Sequence, residues 1–208
     1  MTVNGLDVSA IQQNVDWAAV SNAGYEFCVI KAGNGNSALD PLYKQNIAGA
    51  MAAGLSAMFY HVIFPLPDAT GHVNRNPVDQ ANYHWNAISS FGCKAAADLE
   101  WPEQSQWAVW GIDANFIKQW TITYLETYSQ LQGAPMILYS YPYYLLSLAF
   151  DPSITQYPLW IAEYVAGSPV IPQPWTSWYM HQISGGTTNL PGTSIPVDLD
   201  IAQDLSLF

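Results

Sequence analysis

The chain has 208 residues, a length that suits one domain with a sizeable core. Hydrophobic residues make up 50% and charged residues only 10%, which argues against disorder. Lysine and arginine number 5 against 16 aspartates and glutamates, and the formal net charge of −11 repels phosphate backbones and disfavours a nucleic-acid partner.

The opening stretch NGLDVSAIQQNVDW holds a short apolar run, GLDV, ended by Ser9, with Asp7 set between Leu6 and Val8. Asp16 is placed to cap a helix through WAAVSNA, which Gly24 ends. Residues 26–32, EFCVIKA, read as a second strand, followed by the loop GNGNSA. Asp40-Pro41 is a cap followed by proline at the first helical position; Tyr43, Ile47 and Met51 then fall at four-residue intervals, and Gly54 closes the helix. LSAMFYHVIF is a third strand. Asn76-Pro77 repeats the cap-and-proline device, and Val78, Ala81, Trp85 and Ile88 mark a helical face.

KAAADLE reads as a fourth strand. Asp113 is placed to cap a long helix with Phe116, Trp120, Tyr124 and Tyr128 along one side and Gly133 after it. PMILYS is a fifth strand, and residues 141–150 form a short helix by length and by the proline near its start. After that the helical pattern stops. PLWIAEY, SWYMHQIS and SIPVDLDIA read as three more strands joined by loops rich in proline and glycine. Alternating strands and helices imply a parallel sheet, and eight strands suggest closure. The expectation is an α/β fold, an irregular TIM-like β/α barrel of eight strands and about five helices, forming one domain over residues 1–208.

Nine tryptophans and 13 tyrosines first imply a large aromatic core; a sugar-binding groove is the further use such rings serve. Cys28 lies in an apolar strand and reads as a small buried hydrophobe; a bridge to Cys93 is left open. The N-terminal residues have neither positive charge nor an apolar core segment, so no signal peptide is expected and the chain would fold in the cytoplasm. No apolar run reaches about 18 residues, so no membrane insertion is expected.

The most informative stretch is AAADLEW. Asp98 and Glu100 are two residues apart in an apolar strand and so project to the same face. In a β/α barrel the C-terminal strand ends carry the active site. Two like charges buried side by side raise at least one pKa, an arrangement that points to chemistry more than to stability in a chain with so few charges. Paired carboxylates are what glycoside hydrolysis needs: one protonated to serve the leaving oxygen, one to stabilise or attack the anomeric carbon. Asp7, Tyr60, His61, Tyr139, Glu163, Tyr164, Asp198 and Asp200 also fall at or near predicted strand ends. Each has a plain alternative: Tyr60 and Tyr139 as core rings, His61 as a hydrogen-bonded core histidine, Asp200 as a cap. His61, His72, His84 and His181 show no zinc spacing, and no G-x-S-x-G elbow occurs. No metal and no cofactor is expected.

Together these segments resemble the glycoside hydrolase family 25 lysozymes, the Chalaropsis-type N-acetylmuramidases, over nearly the whole chain. GLDVSAIQQNVDW is similar to the family's opening G-[IV]-D-[VI]-S-x-[YW]-Q-x-x-[IV]-D-W. VIKAGNG, FYHVIFP, AADLE, MILYS, LWIAEY and the tail MHQISGG…IPVDLDIA are similar to later family segments in the same order. The resemblance implies an irregular barrel of eight strands and five helices. It implies cleavage of the β-1,4 bond between N-acetylmuramic acid and N-acetylglucosamine in bacterial peptidoglycan. Glu100 would be the general acid, Asp98 the second carboxylate, and Asp7 and Asp198 would line the cleft and tune the pair. Tyr60, Tyr139, Trp160, Tyr164 and His61 would contact substrate. The chain departs from the pattern at Asn34, where the family has an acid, at Ile11, and at His181 and Ile183, where the family has aromatics. The setting expected is a monomeric phage endolysin, made in the host cytoplasm and acting on the wall after release, with no separate wall-binding module. The alternative is a non-catalytic glycan-binding or virion structural domain on the same barrel.

Overall fold

In the computed structural model, residues 2–67, 75–165 and 167–208 are described, and His72 lies outside them. In chain order the strands are β1 (Val3–Val8), β2 (Phe27–Asn34), β3 (Ala38–Leu39), β4 (Ser56–Val62), β5 (Ala95–Asp98), β6 (Ile137–Ser140), β7 (Leu159–Ala162), β8 (Met180–Thr188) and β9 (Val197–Ala202). The α-helices are α1 (Trp17–Asn22), α2 (Tyr43–Ala52), α3 (Pro77–Ile88), α4 (Trp107–Trp110), α5 (Ala114–Gln132) and α6 (Pro142–Leu148). Eight strands close a ring in the order β1-β9-β8-β7-β6-β5-β4-β2, sealed by β1 against β2, while the short β3 folds back on the end of β2 outside it. The expected eight-stranded barrel is therefore present, with one four-residue helix, α4, beyond the five expected.

The ring is mixed, where the alternation of elements predicts a parallel one. Seven strands run the same way, and β9 runs antiparallel to both β8 and β1. This reversal brings the beginning of β9, with Asp198, to the barrel end where the other strands finish, and register pairs Asp198 with Asp7.

Alternation along the strands builds two cores. Phe27, Val29, Met58, Ala96, Ile137, Trp160 and Met180 fill the barrel. Cys28, Ile30, Phe59, Ala97, Leu138 and Ile161 point outwards and pack against the helices. Each fully buried side chain of this size contributes roughly 1.5–3 kcal/mol. Phe208 closes the barrel floor, its ring 4.8 Å from Phe27. Gly5 is required there, because a Cβ would stand 2.3 Å from the Phe27 ring.

The helix caps follow local chemistry in three of four places. Asp16 accepts from Ala19 N at 3.1 Å, Asn76 from Val78 N at 2.8 Å with Pro77 next, and Asp113 from Phe116 N at 2.8 Å. Asp40 is the exception. The helix after it begins at Tyr43 with no side-chain cap, and Asp40 instead accepts from Ala10 N at 2.8 Å and Leu42 N at 2.9 Å, tying two loops together. The buried face of α2 is Tyr43, Asn46, Ile47 and Ala50, leaving Met51 exposed; that of α3 is Gln80, Ala81, His84 and Ile88, leaving Val78 exposed. Cys28 is buried as expected, and both cysteines are free thiols.

Candidate active site

Six strands contribute an inward residue to the wall of one pocket at the upper rim. Asp7 comes from β1, Tyr60 from β4, Asp98 from β5, Tyr139 from β6, Gln182 from β8 and Asp198 from β9. Glu100 and Tyr164 extend over the same space from just beyond β5 and β7, and Trp160 forms its floor; the volume is about 150 Å³. Asp98 is the last residue of its strand and buried, whereas Glu100 stands at the exposed mouth. The two-residue spacing therefore does what alternation predicts, with one carboxyl deep and one at the entrance.

The site is acidic and, below its mouth, buried. Burial raises the carboxyl of Asp98 well above the usual range, with the neighbouring Glu100 charge adding to it and Lys31 opposing it. Glu100 is also raised, chiefly because the pocket walls remove water despite its place at the mouth; the Tyr139 hydrogen bond and Lys31 act the other way. Asp7 is raised by burial and by Asp198 across the barrel seam. Asp198 is raised by burial, partly offset by the Gly186 N–H that donates to its Oδ1. Raised carboxyl pKa values favour the protonated form, which a general acid needs.

Hydrogen bonds fix the tyrosines. The Tyr139 hydroxyl donates to Gln182 Oε1 at 2.9 Å and lies 3.4 Å from Glu100 Oε1. Tyr164 donates to the same Gln182 oxygen at 2.9 Å. Gln182 Nε2 donates to Asp7 Oδ2 at 2.6 Å, and Trp160 Nε1 to Asp200 Oδ1 at 2.8 Å. The Tyr139 ring packs edge-on against Trp160 at 4.5 Å. Trp160 is 1% exposed and Tyr164 60%, so the first is floor and the second a rim ring available for contact.

Eight of the nine expected site residues thus converge; His61 does not. Its neighbour Tyr60 faces into the barrel, so His61 faces out, fully buried under α3. It hydrogen-bonds Gly35 O through Nε2 at 2.6 Å and stacks on His84 at 4.4 Å. Glu163 is likewise outside the pocket, accepting from Val170 N at 2.6 Å. The departures from the expected pattern also fall outside it. Asn34 pairs with Ala38 at the edge of the barrel, Ile11 is exposed, and His181 faces outwards to bond Glu163 O at 2.7 Å. Gln182 between His181 and Ile183 keeps the inward position.

Three participants had weak signals in sequence. Gln182 reads as one polar residue in a strand, although its alternation with His181 places it inside. Lys31, two residues after Val29 on the same strand face, is the cation that acts on Asp98 and Glu100. Asp200 reads as a cap and lies instead beneath Asp7. Among the described residues no group of three or more His, Cys, Asp and Glu side chains could hold a metal ion, and no helix is long and apolar enough to cross a membrane.

Known proteins are similar to this chain in sequence and in fold. The N,O-diacetylmuramidase of Chalaropsis sp. is 30% identical over 93% of this chain and 96% of its own. The autolytic lysozyme of Clostridium acetobutylicum is 29% identical over 95% of this chain, which spans 55% of that longer protein. In three dimensions the bacterial lysozyme from Streptomyces coelicolor superposes with a TM-score of 0.84 at 22% identity, covering 99% of this chain and 96% of that one. Residues 6–192 match Glycosyl hydrolases family 25. The chain that builds this acidic barrel mouth belongs to that family.

Proposed function

We propose that the protein is a muramidase that hydrolyses the β-1,4 bond between N-acetylmuramic acid and N-acetylglucosamine in bacterial peptidoglycan. The observation that carries this reading is the pairing of buried Asp98 with entrance Glu100 at one strand end, both with raised pKa values, in a pocket walled by tyrosines. Glu100 gives its proton to the glycosidic oxygen as the bond to the anomeric carbon breaks. Asp98 faces the positive charge that develops there, either attacking that carbon or stabilising an oxazolinium formed by the sugar's own acetamido oxygen. Water then completes hydrolysis, and Glu100 recovers its proton from it. Tyr60 and Tyr164 supply ring faces and hydroxyls to the sugar.

Mass spectrometry of digested peptidoglycan tests the reading, because fragment ends report which bond is cut. Reducing-end N-acetylmuramic acid is the expected product. Binding without new reducing ends would mark a glycan-binding or virion structural domain instead. An endolysin role predicts that cells making the protein stay intact until their membrane is permeabilised. Light scattering checks the expected monomer.

A further inference from the structure

The catalytic pocket holds about 150 Å³, less than the roughly 300–1,000 Å³ of a cleft that buries a small ligand. A glycan cut in mid-chain spans the bond that breaks, so part of the substrate lies beyond this pocket. Past Glu100 there is a groove of about 460 Å³ between the chain that follows β5 and the start of α6. Glu103, Gln104 and Ser105 form one bank, and Tyr141, Tyr143 and Tyr144 form the other.

Tyr141 joins the two spaces. It follows Tyr139 by two residues in extended backbone, so it continues the same row of side chains at the end of β6. It packs both against the residues that fill the barrel and against those under the helices. Burial, then the charges of Glu100 and Glu103, raise its hydroxyl pKa, in keeping with a place between the two carboxyls.

The groove is already formed. The Pro102 carbonyl accepts from the Tyr144 hydroxyl and from Trp107 Nε1, both at 2.9 Å, which ties the chain after β5 to α6. Across the groove the Tyr143 hydroxyl donates to Gln104 Oε1 at 3.2 Å. The Tyr143 side chain is still 67% exposed, so a ring face stays open to a ligand. Fixed walls lower the ordering cost of binding.

The lining selects the ligand. Tyrosine rings offer apolar faces, while an amide, hydroxyls and a carboxylate offer hydrogen bonds, the mix that a pyranose uses. Glu103 is the one acidic residue in the lining, and no lysine or arginine joins it. The carboxylates of a stem peptide would meet repulsion there, whereas N-acetylglucosamine is neutral. The groove on the far side of Tyr164 is walled instead by Val165, Trp178, Ile183 and Ile201, with fewer polar side chains for a sugar.

We propose that the groove between Gln104 and Tyr143 is a saccharide subsite that takes the N-acetylglucosamine on the leaving side of the cut, stacked on the Tyr143 ring. The proposal rests on the muramidase reading, in which Glu100 protonates the oxygen that this sugar carries away. Glu100 stands at the pocket mouth, with the groove just past it, so the departing sugar lies on the outer side of the acid.

Calorimetric titration with the β-1,4-linked tetramer of N-acetylglucosamine, in a Glu100→Gln background that stops turnover, tests the groove. Tyr143→Ala should weaken binding about 3- to 10-fold, and Tyr143→Phe, which keeps the ring, should stay within about twofold. Gln104→Ala on the other bank should weaken binding too; both residues are exposed, so neither substitution touches the core. On peptide-free glycan strands, Tyr143→Ala with Glu100 intact should raise KM by a similar factor while kcat changes less. Unchanged affinity in Tyr143→Ala, or an equal loss in Tyr143→Phe, would overturn the stacking subsite. A KM effect present on peptide-bearing wall and absent on peptide-free glycan would assign the groove to the stem peptide and overturn the saccharide assignment. If wild type releases no reducing ends from peptidoglycan, the muramidase reading fails, while the tetramer titration still decides whether the groove binds saccharide.

Discussion

His61 and His84 form a stacked, fully buried pair whose stability cost in acid can be worked out. Burial lowers the His61 pKa from 6.5 to about 4, with the Gly35 carbonyl opposing and Lys31 adding slightly. His84 is lowered further by burial and by His61. Between pH 6.5 and about 4 the unfolded chain binds a proton at His61 that the folded chain does not. Stability therefore rises with pH across that window, is fully present above it, and is lost on acidification. At about 1.4 kcal/mol for each tenfold change in proton affinity, lowering from 6.5 to about 4 is worth about 3 kcal/mol at pH 4. The raised carboxylates act with the opposite sign, so the raw pH curve mixes both. Urea unfolding of wild type and His61→Gln, followed by tryptophan fluorescence, isolates the histidine. The stability difference between the two proteins should shift by about 3 kcal/mol in favour of the variant between pH 7 and pH 4. A difference that stays constant within about 0.5 kcal/mol would refute the assignment of His61 as a neutral, desolvated ring.

Three other outcomes are expected. Glu100→Gln should cut peptidoglycan turnover by about 10²–10⁴-fold, read as new reducing ends, while its circular dichroism matches wild type. Asp98→Asn should raise the melting temperature at pH 8 relative to wild type and lose that advantage towards pH 4. The folded pKa of Asp98 is raised above the unfolded value of 3.8, so its stability contribution is fully present below 3.8 and is lost as pH rises from there through the folded pKa. Gly5→Ala drives a methyl into the Phe27 ring and should cost about 1–3 kcal/mol in chemical denaturation.

Local rules reached a good part of this molecule. Asn76-Pro77 and Asp113 cap their helices because cap chemistry involves neighbours two or three residues away. Asp98 and Glu100 share the pocket because side-chain parity in a strand is local too. The failures are nonlocal. Asp40 reads as a cap, yet its carboxylate finds Ala10 N, 30 residues back, and that contact wins over capping a helix that begins two residues later than expected. Met51 and Val78 satisfy helical spacing but point to water, because the barrel wall selects a rotated face that includes polar Asn46, Gln80 and His84. His61 fails on parity within its own pair: at a strand end rich in polar residues, either Tyr60 or His61 can face inwards, and the register of β4 against its neighbours decides it.

Strand direction is the deepest of these gaps, because an alternating pattern looks the same read from either end. The reversal of β9 matters chemically. Run parallel to its neighbours, the strand would carry Asp198 towards the hydrophobic floor and Ala202 towards the rim. Run antiparallel, it places Asp198 beside Asp7 at the rim and Asp200 one layer down, against the Trp160 indole. The pocket thus gains an acid from a strand whose far end still packs apolar residues such as Ala202 inside the barrel. The consequence is a carboxyl at a depth where water cannot solvate it. Burial raises that carboxyl well above the usual range, and the neighbouring Asp7 charge adds to it. The same strand reversal that completes the acidic rim therefore also sets Asp200 beneath it, one oxygen held by the Trp160 indole and the carboxyl raised by burial.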